Sequence, residues 1–337
     1  MKKVVILSLL LLLFLFLLPL FLFGGDGLIP LPSGEAEGST LLPPQITPTP
    51  RQTADGGVWL TLLRQETGQV ERLTLKDYLW GVAAAEMPAS FHSEAIKAQV
   101  VAARTYALRK GSQTVEAHPD AMVCDDFTCC QAFRTPEDMA AVWGEDAAFY
   151  GDKLTGAVEE TDALVLTYGG LLIDAVFHSS SQTSTADAAE VWGRAVPYLK
   201  PVPTPEGEEV PNYHTTVTVP LEEFQRVILD AHPEAVFSED YTTWFGPVSY
   251  TAAGAVAILP VGGVPLSGRE YRALFSLRSP RFSLTAGEEG VVFEVTGYGH
   301  GAGMSQYGAN AMAGTGSGFR EILTHYYTGC EIEKMPS

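Results

Sequence analysis

The feature that most constrains this chain is an uncharged apolar run of 20 residues, 4–23, close to its N-terminus. At about 1.5 Å per residue, a helix of this length crosses the roughly 30 Å hydrocarbon core of a bilayer. Lys2 and Lys3 precede the run, which favours an inside N-terminus and an outside C-terminus. We therefore expect residues 1–24 to form a single-pass transmembrane helix that anchors an extracytoplasmic protein in the cell membrane.

A cleaved signal peptide is the alternative interpretation of the same segment. The apolar region of a signal peptide is usually shorter than this run, and no A-x-A cleavage site follows it. The uncleaved anchor is therefore favoured, and both interpretations put the rest of the chain outside the cytoplasm.

Beyond the anchor, the chain divides into a stalk and one long globular part. Residues 25–57 are rich in Gly, Pro, Ser and Thr, which predicts an extended tether without a core of its own. Alternating hydrophobicity begins at Val58, and residues 58–337 are expected to form one domain. With 21 Lys+Arg against 40 Asp+Glu, the net charge of −19 argues against a nucleic-acid-binding protein. The aromatic content of 10% argues against a disordered one.

Local patterns in the globular part predict an α+β fold. Thr74 and Asp77 resemble a capping box at the start of a helix that ends near Glu86. Hairpins mixed with unpaired helices, rather than repeating βαβ units, indicate mixed helices and antiparallel β-hairpins around a substrate cleft. The first predicted hairpin pairs residues 58–63 with 70–73, and the second pairs 163–168 with 171–178. Two further strands are predicted at 215–219 and 291–296. Three further helices are predicted at 93–108, 221–231 and 305–313.

Glu86 is the first candidate for chemistry, because a carboxylate is unexpected at its position. Leu79, Val82 and Ala83 lie seven, four and three positions before it, which puts Glu86 on the apolar face of the predicted helix. Pro88 ends that helix at Glu86, where burial and the negative end of the helix dipole would both raise the glutamate pKa. A raised pKa suits a general acid at neutral pH, whereas a carboxylate paired with an arginine in the core is the alternative.

The next predicted helix carries two cations, Lys97 and Arg104, seven positions apart and therefore on one face. Arg104 lies in the otherwise apolar stretch VVAARTYAL, and an arginine there is expected to meet a carboxylate. That carboxylate is either Glu86 or one on a substrate, so both cations are candidates for the substrate cleft. A buried ion pair that joins two helices is the structural alternative.

Three long blocks of the chain resemble the stage II sporulation protein D family. They are DYLWGVAAAEMPASFHSEAIKAQVVAARTYAL, AVFHSSSQTSTADAAEVWG followed by VPYLKPV, and GYGHGAGMSQYGANAMA followed by EILTHYYTGCEI. Their order and separation match as well, and they cover nearly all of residues 60–332. The resemblance implies a lytic transglycosylase that cuts peptidoglycan during engulfment of the forespore. The catalytic acid carries over onto Glu86, in the motif A-A-x-E-M-P.

The implied reaction suits a single carboxylate. Glycoside hydrolysis usually needs two, whereas a lytic transglycosylase uses no water: the C6 hydroxyl of the N-acetylmuramic acid (MurNAc) attacks its own C1. Glu86 alone would protonate the oxygen that leaves towards N-acetylglucosamine (GlcNAc) and then accept the proton of that hydroxyl. Asp174 is a candidate second acid, but strand alternation does not place it near Glu86.

His118, Cys124 and Cys130 are spaced six and six residues apart and are candidate metal ligands. Imidazole and thiolate are ligands that zinc prefers, and a disulfide between the two cysteines is the alternative in an extracytoplasmic protein. The H-x5-C-x5-C pattern resembles the zinc-binding insertion of clostridial members of the family, which favours Zn²⁺. Cys129 is a candidate fourth ligand, and Cys330 is expected to be structural.

Two polar segments are candidates for glycan contact. The first, FHSSSQTST, lacks the G-x-S-x-G elbow of a serine hydrolase, and its hydroxyls suit sugar recognition instead. In the second, GYGHGAG, alternating glycines would let a glycan approach the backbone closely. A hydroxyl-rich strand end and a strained turn are the structural alternatives. The candidate substrate-binding residues of these segments are His178, Ser179, Ser180, Gln182, His300, Gln306 and Tyr307.

The resemblance also implies partners and a rival function. The implied partners are stage II sporulation protein P, which removes stem peptides first, and stage II sporulation protein M, a membrane protein that holds both. The same domain resembles proteins described as amidase enhancers, so a non-catalytic peptidoglycan-binding module that stimulates an amidase is the alternative. An enzyme would make anhydro ends, whereas an enhancer would change only the rate of an amidase.

Overall fold

The structure, a computed structural model, describes residues 54–335, which belong to one compact unit. The predicted anchor (1–24) and the predicted stalk up to residue 53 lie outside these residues. Within 54–335, no helix combines the length and the apolar character needed to cross a bilayer.

Helices and short strands follow one another without a repeating βαβ order, as an α+β fold requires. The helices are α1 (Ala54–Gly57), α2 (Leu75–Glu86), α3 (Ser93–Gly111), α4 (Pro136–Trp143), α5 (Ala147–Glu160), α6 (Ala188–Trp192), α7 (Leu221–Ala231), α8 (Gly268–Leu274), α9 (Gln306–Gly314) and α10 (Phe319–Tyr326), with short 3₁₀ helices at Gly144–Asp146 and Tyr241–Thr243. The strands are β1 (Trp59–Leu63), β2 (Val70–Thr74), β3 (Val123–Cys124), β4 (Leu164–Tyr168), β5 (Leu171–Leu172), β6 (Phe177–His178), β7 (His214–Val219), β8 (Ser249–Tyr250), β9 (Val256–Val261), β10 (Val264–Leu266), β11 (Phe282–Gly287), β12 (Gly290–Thr296), β13 (Met304–Ser305) and β14 (Glu331–Lys334).

These elements enclose two separate hydrophobic cores. The first lobe, residues 54–213 and 297–335, packs its apolar side chains around α2 and α3. The second lobe, residues 214–296, is inserted into the first and has an aromatic core in which Phe224 stacks on Phe275 at 4.9 Å. Its strands form the sheets β11-β12-β7 and β10-β9-β8. The insertion leaves a boundary between the lobes where a cleft can form.

The first predicted hairpin is confirmed, and the second is shorter than predicted. β1 pairs antiparallel with β2 over its full length and parallel with β3. The β4–β5 ladder ends at Leu172, because the N–H of Asp174 donates to the Tyr198 hydroxyl and its carboxylate binds Arg109. The chain therefore leaves the hairpin, and β6 pairs parallel with β13 instead.

The helices that carry candidate residues begin and end close to the predicted positions. Thr74 caps α2 by accepting from the N–H of Asp77, and α2 ends at Glu86, after which Met87 is extended. Helix α3 runs three residues beyond the predicted end at residue 108. Arg109 and Lys110 lie in its last turn, where cations are favoured by the negative end of the helix dipole.

A buried ion pair attaches α1 to the centre of the first lobe. Asp55 and Arg104 have no exposed side-chain surface, and Arg104 Nη2 lies 2.5 Å from Asp55 Oδ2. Arg104 Nη1 donates to the carbonyl of Leu164 at 3.0 Å. Because Asp55 is fully enclosed, the compact part of the chain begins before the predicted boundary at Val58.

Removing the buried guanidinium is expected to destabilise the protein strongly. We expect Arg104→Met to lower the free energy of unfolding by about 3–5 kcal/mol, because Asp55 would stay buried without its partner. Arg226→Met is the control, since Arg226 pairs with Asp230 on the surface of α7 and its loss should change stability by about 0.5 kcal/mol or less. Urea unfolding followed by tryptophan fluorescence measures both changes. Equal effects of the two substitutions would contradict the buried pair.

Candidate active site

A cavity of about 1320 Å³ opens between the two lobes and collects most of the candidate residues. The first lobe contributes the end of α2, a loop that we call the cysteine loop (residues 124–132), and the start of α9. The second lobe contributes α8 and the segment before β11. The candidate residues that line the cavity are Glu86, Cys130, His178, Ser179, Ser180, His300 and Gln306.

Glu86 lies partly buried at the end of α2, facing this cavity as its helical spacing predicted. Its Oε1 accepts a hydrogen bond of 2.6 Å from the N–H of Ala132. Burial raises the pKa of Glu86 to about 7, although the hydrogen bonds from Ala132 and Gln306 act in the opposite direction. A carboxyl with this pKa can donate a proton and later accept one at neutral pH. Within residues 54–335 Glu86 forms no ion pair, so the predicted alternative of an arginine partner is wrong for this part of the chain.

Two other carboxylates line the cavity, and both are held by neighbours. Asp174 accepts from Arg109 Nε at 2.5 Å, and Glu190 accepts from the N–H of Ala252 at 3.2 Å. Asp174 is thus paired with a cation, whereas Glu86 has no such partner in the described chain and burial raises its pKa towards neutrality. This arrangement suits chemistry with a single acid.

The cysteine loop brings the candidate metal ligands together. One donor atom from each of His118, Cys124, Cys129 and Cys130 lies within 4.8 Å of the others. His118 Nδ1 is 2.9 Å from the carbonyl of Ala121, which leaves Nε2 free to face Cys130 Sγ at 3.2 Å. A backbone carbonyl on one ring nitrogen is the usual way to orient a histidine towards a metal with the other.

The same loop carries the group that bonds to Glu86. Cys130 and Ala132 are two residues apart, and the N–H of Ala132 donates to the Glu86 carboxylate. All four cysteines are free thiols in the structure, so the alternative disulfide between Cys124 and Cys130 is not formed. Zinc binding itself stays a prediction, and Cys330 lies outside this group of donors.

The serine-rich turn and the glycine-rich loop form one backbone assembly. Ser180 and Tyr298 exchange two backbone hydrogen bonds of 3.0 and 3.1 Å. At Gly303, φ is +73° and a Cβ atom would lie 2.0 Å from the carbonyl oxygen of Val176, so no other residue fits there. The alternation of glycines therefore serves the close approach of two chain segments, β6 and the turn before β13.

The two histidines of this assembly are neutral at physiological pH. His178 is held by the carbonyl of Ala302 at 3.1 Å and by the Ser181 hydroxyl at 2.6 Å. Burial lowers the pKa of His300 to about 4 and lowers that of His178 well below its ordinary value. Ser181 has no exposed surface, so it has no access to a substrate as a nucleophile.

Four predicted substrate-binding residues lie outside the cavity lining. The prediction that Arg104 binds the substrate is wrong, because its guanidinium is fully buried against Asp55 and has no surface that a glycan could contact. Lys97 binds Glu94 at 2.7 Å and Glu160 at 2.5 Å, which holds it in a surface ion cluster. The other two such residues are Tyr307, which packs edge-on against Phe91, and Gln182.

The structure adds cavity residues that the sequence did not single out. Gln131 is 1% exposed, accepts from the Tyr78 hydroxyl, and has an Nε2 without a hydrogen-bond partner in the described chain. This amide lies one residue before Ala132 and lines the cavity, so it is a ready donor for a ligand oxygen. Trp192 packs against His300 at 5.2 Å and offers an exposed aromatic face. In the sequence, only the position of Gln131 directly after the candidate ligand Cys130 could have indicated that it lies near the site.

The raised pKa of Glu86 makes the stability of the protein depend on pH. The folded protein holds this proton with a pKa of about 7, against 4.5 for an ordinary glutamate. The stabilising contribution is therefore complete below about pH 4.5 and is lost as the pH rises through 7. We expect Glu86→Gln to gain free energy of unfolding relative to the parent over this range, by up to about 3 kcal/mol.

Denaturant unfolding at a series of pH values measures this difference. Glu223→Gln, at an exposed position on α7, is the matched control and should follow the parent at every pH. A constant difference between Glu86→Gln and the parent across the whole range would contradict the raised pKa.

Comparison with known proteins identifies the family of this chain. A family model described as stage II sporulation protein matches residues 63–168, which include Glu86 and the cysteine loop. The chain is 34% identical to stage II sporulation protein D of Bacillus amyloliquefaciens over 281 residues, 83% of this chain and 80% of that protein. It is 34% identical to stage II sporulation protein D of Bacillus subtilis (strain 168) over 280 residues, 82% of this chain and 79% of that protein. It is also 30% identical to the amidase enhancer of Bacillus subtilis (strain 168) over 305 residues, 75% of this chain and 40% of that protein. The chain therefore belongs to the stage II sporulation protein D family, a family with a role in sporulation.

Proposed function

We propose that this protein is a membrane-anchored lytic transglycosylase that cleaves the MurNAc–GlcNAc strands of peptidoglycan during forespore engulfment. The observation that carries the proposal is the partly buried carboxyl of Glu86, which faces the interlobe cavity with a pKa of about 7. Family membership and the extracytoplasmic position expected from residues 1–24 support a cell-wall substrate.

In the proposed reaction, Glu86 acts first as an acid and then as a base. The protonated carboxyl gives its proton to the glycosidic oxygen as the bond between MurNAc C1 and that oxygen breaks. The carboxylate then takes the proton of the MurNAc C6 hydroxyl as this oxygen bonds to C1, which closes a 1,6-anhydro ring. No water enters, and the carboxyl is protonated again at the end. Because one group does both steps, this route needs Glu86 alone, whereas hydrolysis usually needs a second carboxylate.

Other groups of the cavity would hold the glycan in place. Gln306 reaches both Glu86 and Gln99, with Nε2 3.5 Å from Gln99 Oε1, and would orient the catalytic carboxyl. His178 and His300 are neutral and have their ring nitrogens bonded within the protein, so they would shape the wall of the cavity without adding charge. Trp192 offers a face on which a sugar ring can stack.

We further propose that the cysteine loop binds Zn²⁺ together with His118, which precedes it. The proposed ligands are His118, Cys124 and Cys130, with Cys129 as a fourth ligand. The donor set and the orientation of His118 fit a structural zinc site. A bound zinc would fix the loop by charge and coordination, and through it the N–H that Ala132 donates to Glu86. Its role in this proposal is to position the loop.

The proposed location and partners follow from the family. Residues 1–24 would anchor the protein in the cell membrane with its globular part outside. Stage II sporulation protein P would remove stem peptides before this protein acts, and stage II sporulation protein M would hold both at the membrane.

A second candidate function is a non-catalytic peptidoglycan-binding enhancer of an amidase. The similarity to a protein named amidase enhancer favours it, at 30% identity over 75% of this chain. Such a module would bind glycan in the cavity, but it would not require the pKa of Glu86 to lie near neutrality.

Replacing the proposed acid should abolish strand cleavage. We expect peptide-free glycan strands incubated with the parent to acquire 1,6-anhydro-MurNAc ends, and Glu86→Gln to lower this rate by about 10³-fold or more, because its amide neither gives nor takes the proton. Mass spectrometry of the products measures the ends. Glu223→Gln is the matched control and should cleave like the parent.

The other outcomes separate the alternatives. Reducing ends in place of anhydro ends would mean a hydrolase with a second carboxylate. Strand binding without cleavage by the parent, together with stimulation of an amidase, would replace the enzyme by the enhancer.

Zinc should purify with the protein in a ratio of about one ion per chain, because three or four soft donors converge. We expect Cys124→Ser to lose the metal and Cys330→Ser, whose sulfur lies outside the cluster, to keep it. Elemental analysis of the purified variants measures the content. Full zinc in Cys124→Ser, or a disulfide found by thiol titration of the parent, would contradict the proposed site.

A further inference from the structure

The cavity has an excess of positive charge although the whole chain carries a net charge of −19. Its acids are Glu86, whose pKa is near neutral, Asp174, which is paired with Arg109, and Glu190. The cations that line it are Lys110, Arg194, Arg269, Arg272 and Arg281.

The cations of this cavity have no direct ion-pair partner among the described residues, unlike several other arginines of the protein. In the described chain, Arg64, Arg104 and Arg109 each bind an aspartate at 3.0 Å or less. None of the five cavity cations forms an ion pair with a carboxylate of residues 54–335. With 40 acids to 21 cations in the chain, unpaired cations gathered in one cavity are unexpected for a merely solvated surface.

The strongest case is Arg281, which is 5% exposed and forms no direct ion pair within the described chain, although the charges of Glu206 and Glu190 partly offset its own. Its Nη2 donates a hydrogen bond of 2.6 Å to the carbonyl of Ser184. This bond gives one N–H group a partner, but the carbonyl is neutral and does not balance the positive charge. Arg272 is also largely enclosed and donates through Nε to the carbonyl of Leu277 at 3.3 Å. Burial lowers the pKa of both guanidinium groups, yet an arginine keeps its proton in proteins. A buried, unpaired charge is unfavourable unless an anion binds beside it.

The positive electrostatic potential of these arginines extends to the histidines that line the cavity. Proximity to Arg272 and Arg281 contributes to the lowered pKa of His178, and Arg272 contributes to that of His300. Both histidines line the cavity beside the arginines of the second lobe. The positive potential is therefore felt where a ligand would lie.

We infer that Arg269, Arg272 and Arg281, which we call the arginine wall, form a subsite for a carboxylate of the bound glycan. This inference rests on the proposed glycan substrate and names the group that the second lobe recognises. Arg269 and Arg272 are three positions apart on α8 and so project from neighbouring positions of one face. The planar guanidinium matches a carboxylate with two parallel hydrogen bonds, which neutral sugar hydroxyls do not offer.

Peptidoglycan has two sources of such a carboxylate. The lactyl group of MurNAc ends in a free carboxylate where no stem peptide is attached, and in an amide where one is. A stem peptide carries its own carboxylates further from the sugar ring. GlcNAc has none, so a GlcNAc oligomer of equal length is a neutral reference ligand.

Binding to the full-length protein in detergent tests the subsite without requiring cleavage. All chains carry Glu86→Gln so that strands stay intact, and calorimetry measures the dissociation constants of peptide-free strands, peptide-bearing strands and GlcNAc oligomers. We expect peptide-free strands to bind at least about tenfold more tightly than GlcNAc oligomers at low salt, with the difference shrinking as salt rises.

Substitutions then assign the difference to the arginine wall. We expect Arg272→Gln, and separately the exposed Arg269→Gln, to weaken binding of peptide-free strands by about tenfold and to change GlcNAc-oligomer binding by less than about twofold. Arg226→Gln on α7, remote from the cavity lining, is the control for loss of charge alone and should bind like its parent. Arg269→Gln keeps the test valid if Arg272→Gln folds poorly.

The other possible outcomes of these binding measurements either support or overturn the carboxylate subsite. Tighter binding of peptide-bearing than of peptide-free strands, lost in the same variants, would support the subsite and identify the stem peptide as the source. Equal binding of strands and GlcNAc oligomers, or an equal loss of both in the variants, would overturn it. Because binding is measured in a chain without its acid, failure of the cleavage reaction would leave this result standing.

Discussion

The buried pair between Arg104 and Asp55 is the interaction on which the arrangement of the first lobe depends. Arg104 lies in the middle of α3, and its three donor nitrogens bind Asp55 from α1 and the carbonyl of Leu164 at the start of β4. A guanidinium in this position would be strongly unfavourable without those acceptors. The charge therefore requires the start of the compact part, the central helix and the β4 strand to meet at one point. Helix α2, with Glu86 at its end, packs directly beside this framework.

The hydrogen bond between Ala132 and Glu86 connects the framework to the cavity. It joins a helix end to the cysteine loop, so the donor set at His118 and the carboxyl share one structural unit. The same helix end is partly enclosed, and enclosure outweighs the two hydrogen bonds that favour the ionised form. The position of the loop and the protonation of Glu86 are thus coupled by geometry.

The inserted second lobe gives the cavity its opposite wall. Its aromatic core holds α8 and the segment before β11, which carry Arg272 and Arg281. The first lobe contributes Glu86, whose pKa is near neutrality, two neutral histidines and the cations Lys110 and Arg194. The second lobe contributes the three arginines of the arginine wall. A site divided in this way suits a ligand that has both a scissile sugar linkage and an anionic group.

Local patterns in the sequence were sufficient to predict the position of Glu86 on a helix end and the hairpin of β1 and β2, and they singled out His118 and the cysteines that the structure groups together. Each depends on spacing within about 15 residues or on the restriction that Pro88 imposes, and such short-range constraints act in any tertiary context. Arg104 shows where this reasoning stops. Its apolar surroundings predicted a carboxylate partner, but the partner lies 49 residues away in a segment predicted to be a stalk.

Only the tertiary structure decided which residues share the cavity. Gln131, Trp192 and the arginine wall carry no local pattern that marks them, because their role arises from the packing of the inserted lobe against the first. Hydrogen bonds between the lobes at this cavity join residues 62, 78 and 97 positions apart. Side-chain periodicity within one element carries no information on which distant surface it will meet. The sequence by itself determined the position of Glu86 at the end of its helix, and the packing of the two lobes determined the charge and shape of the cavity around it.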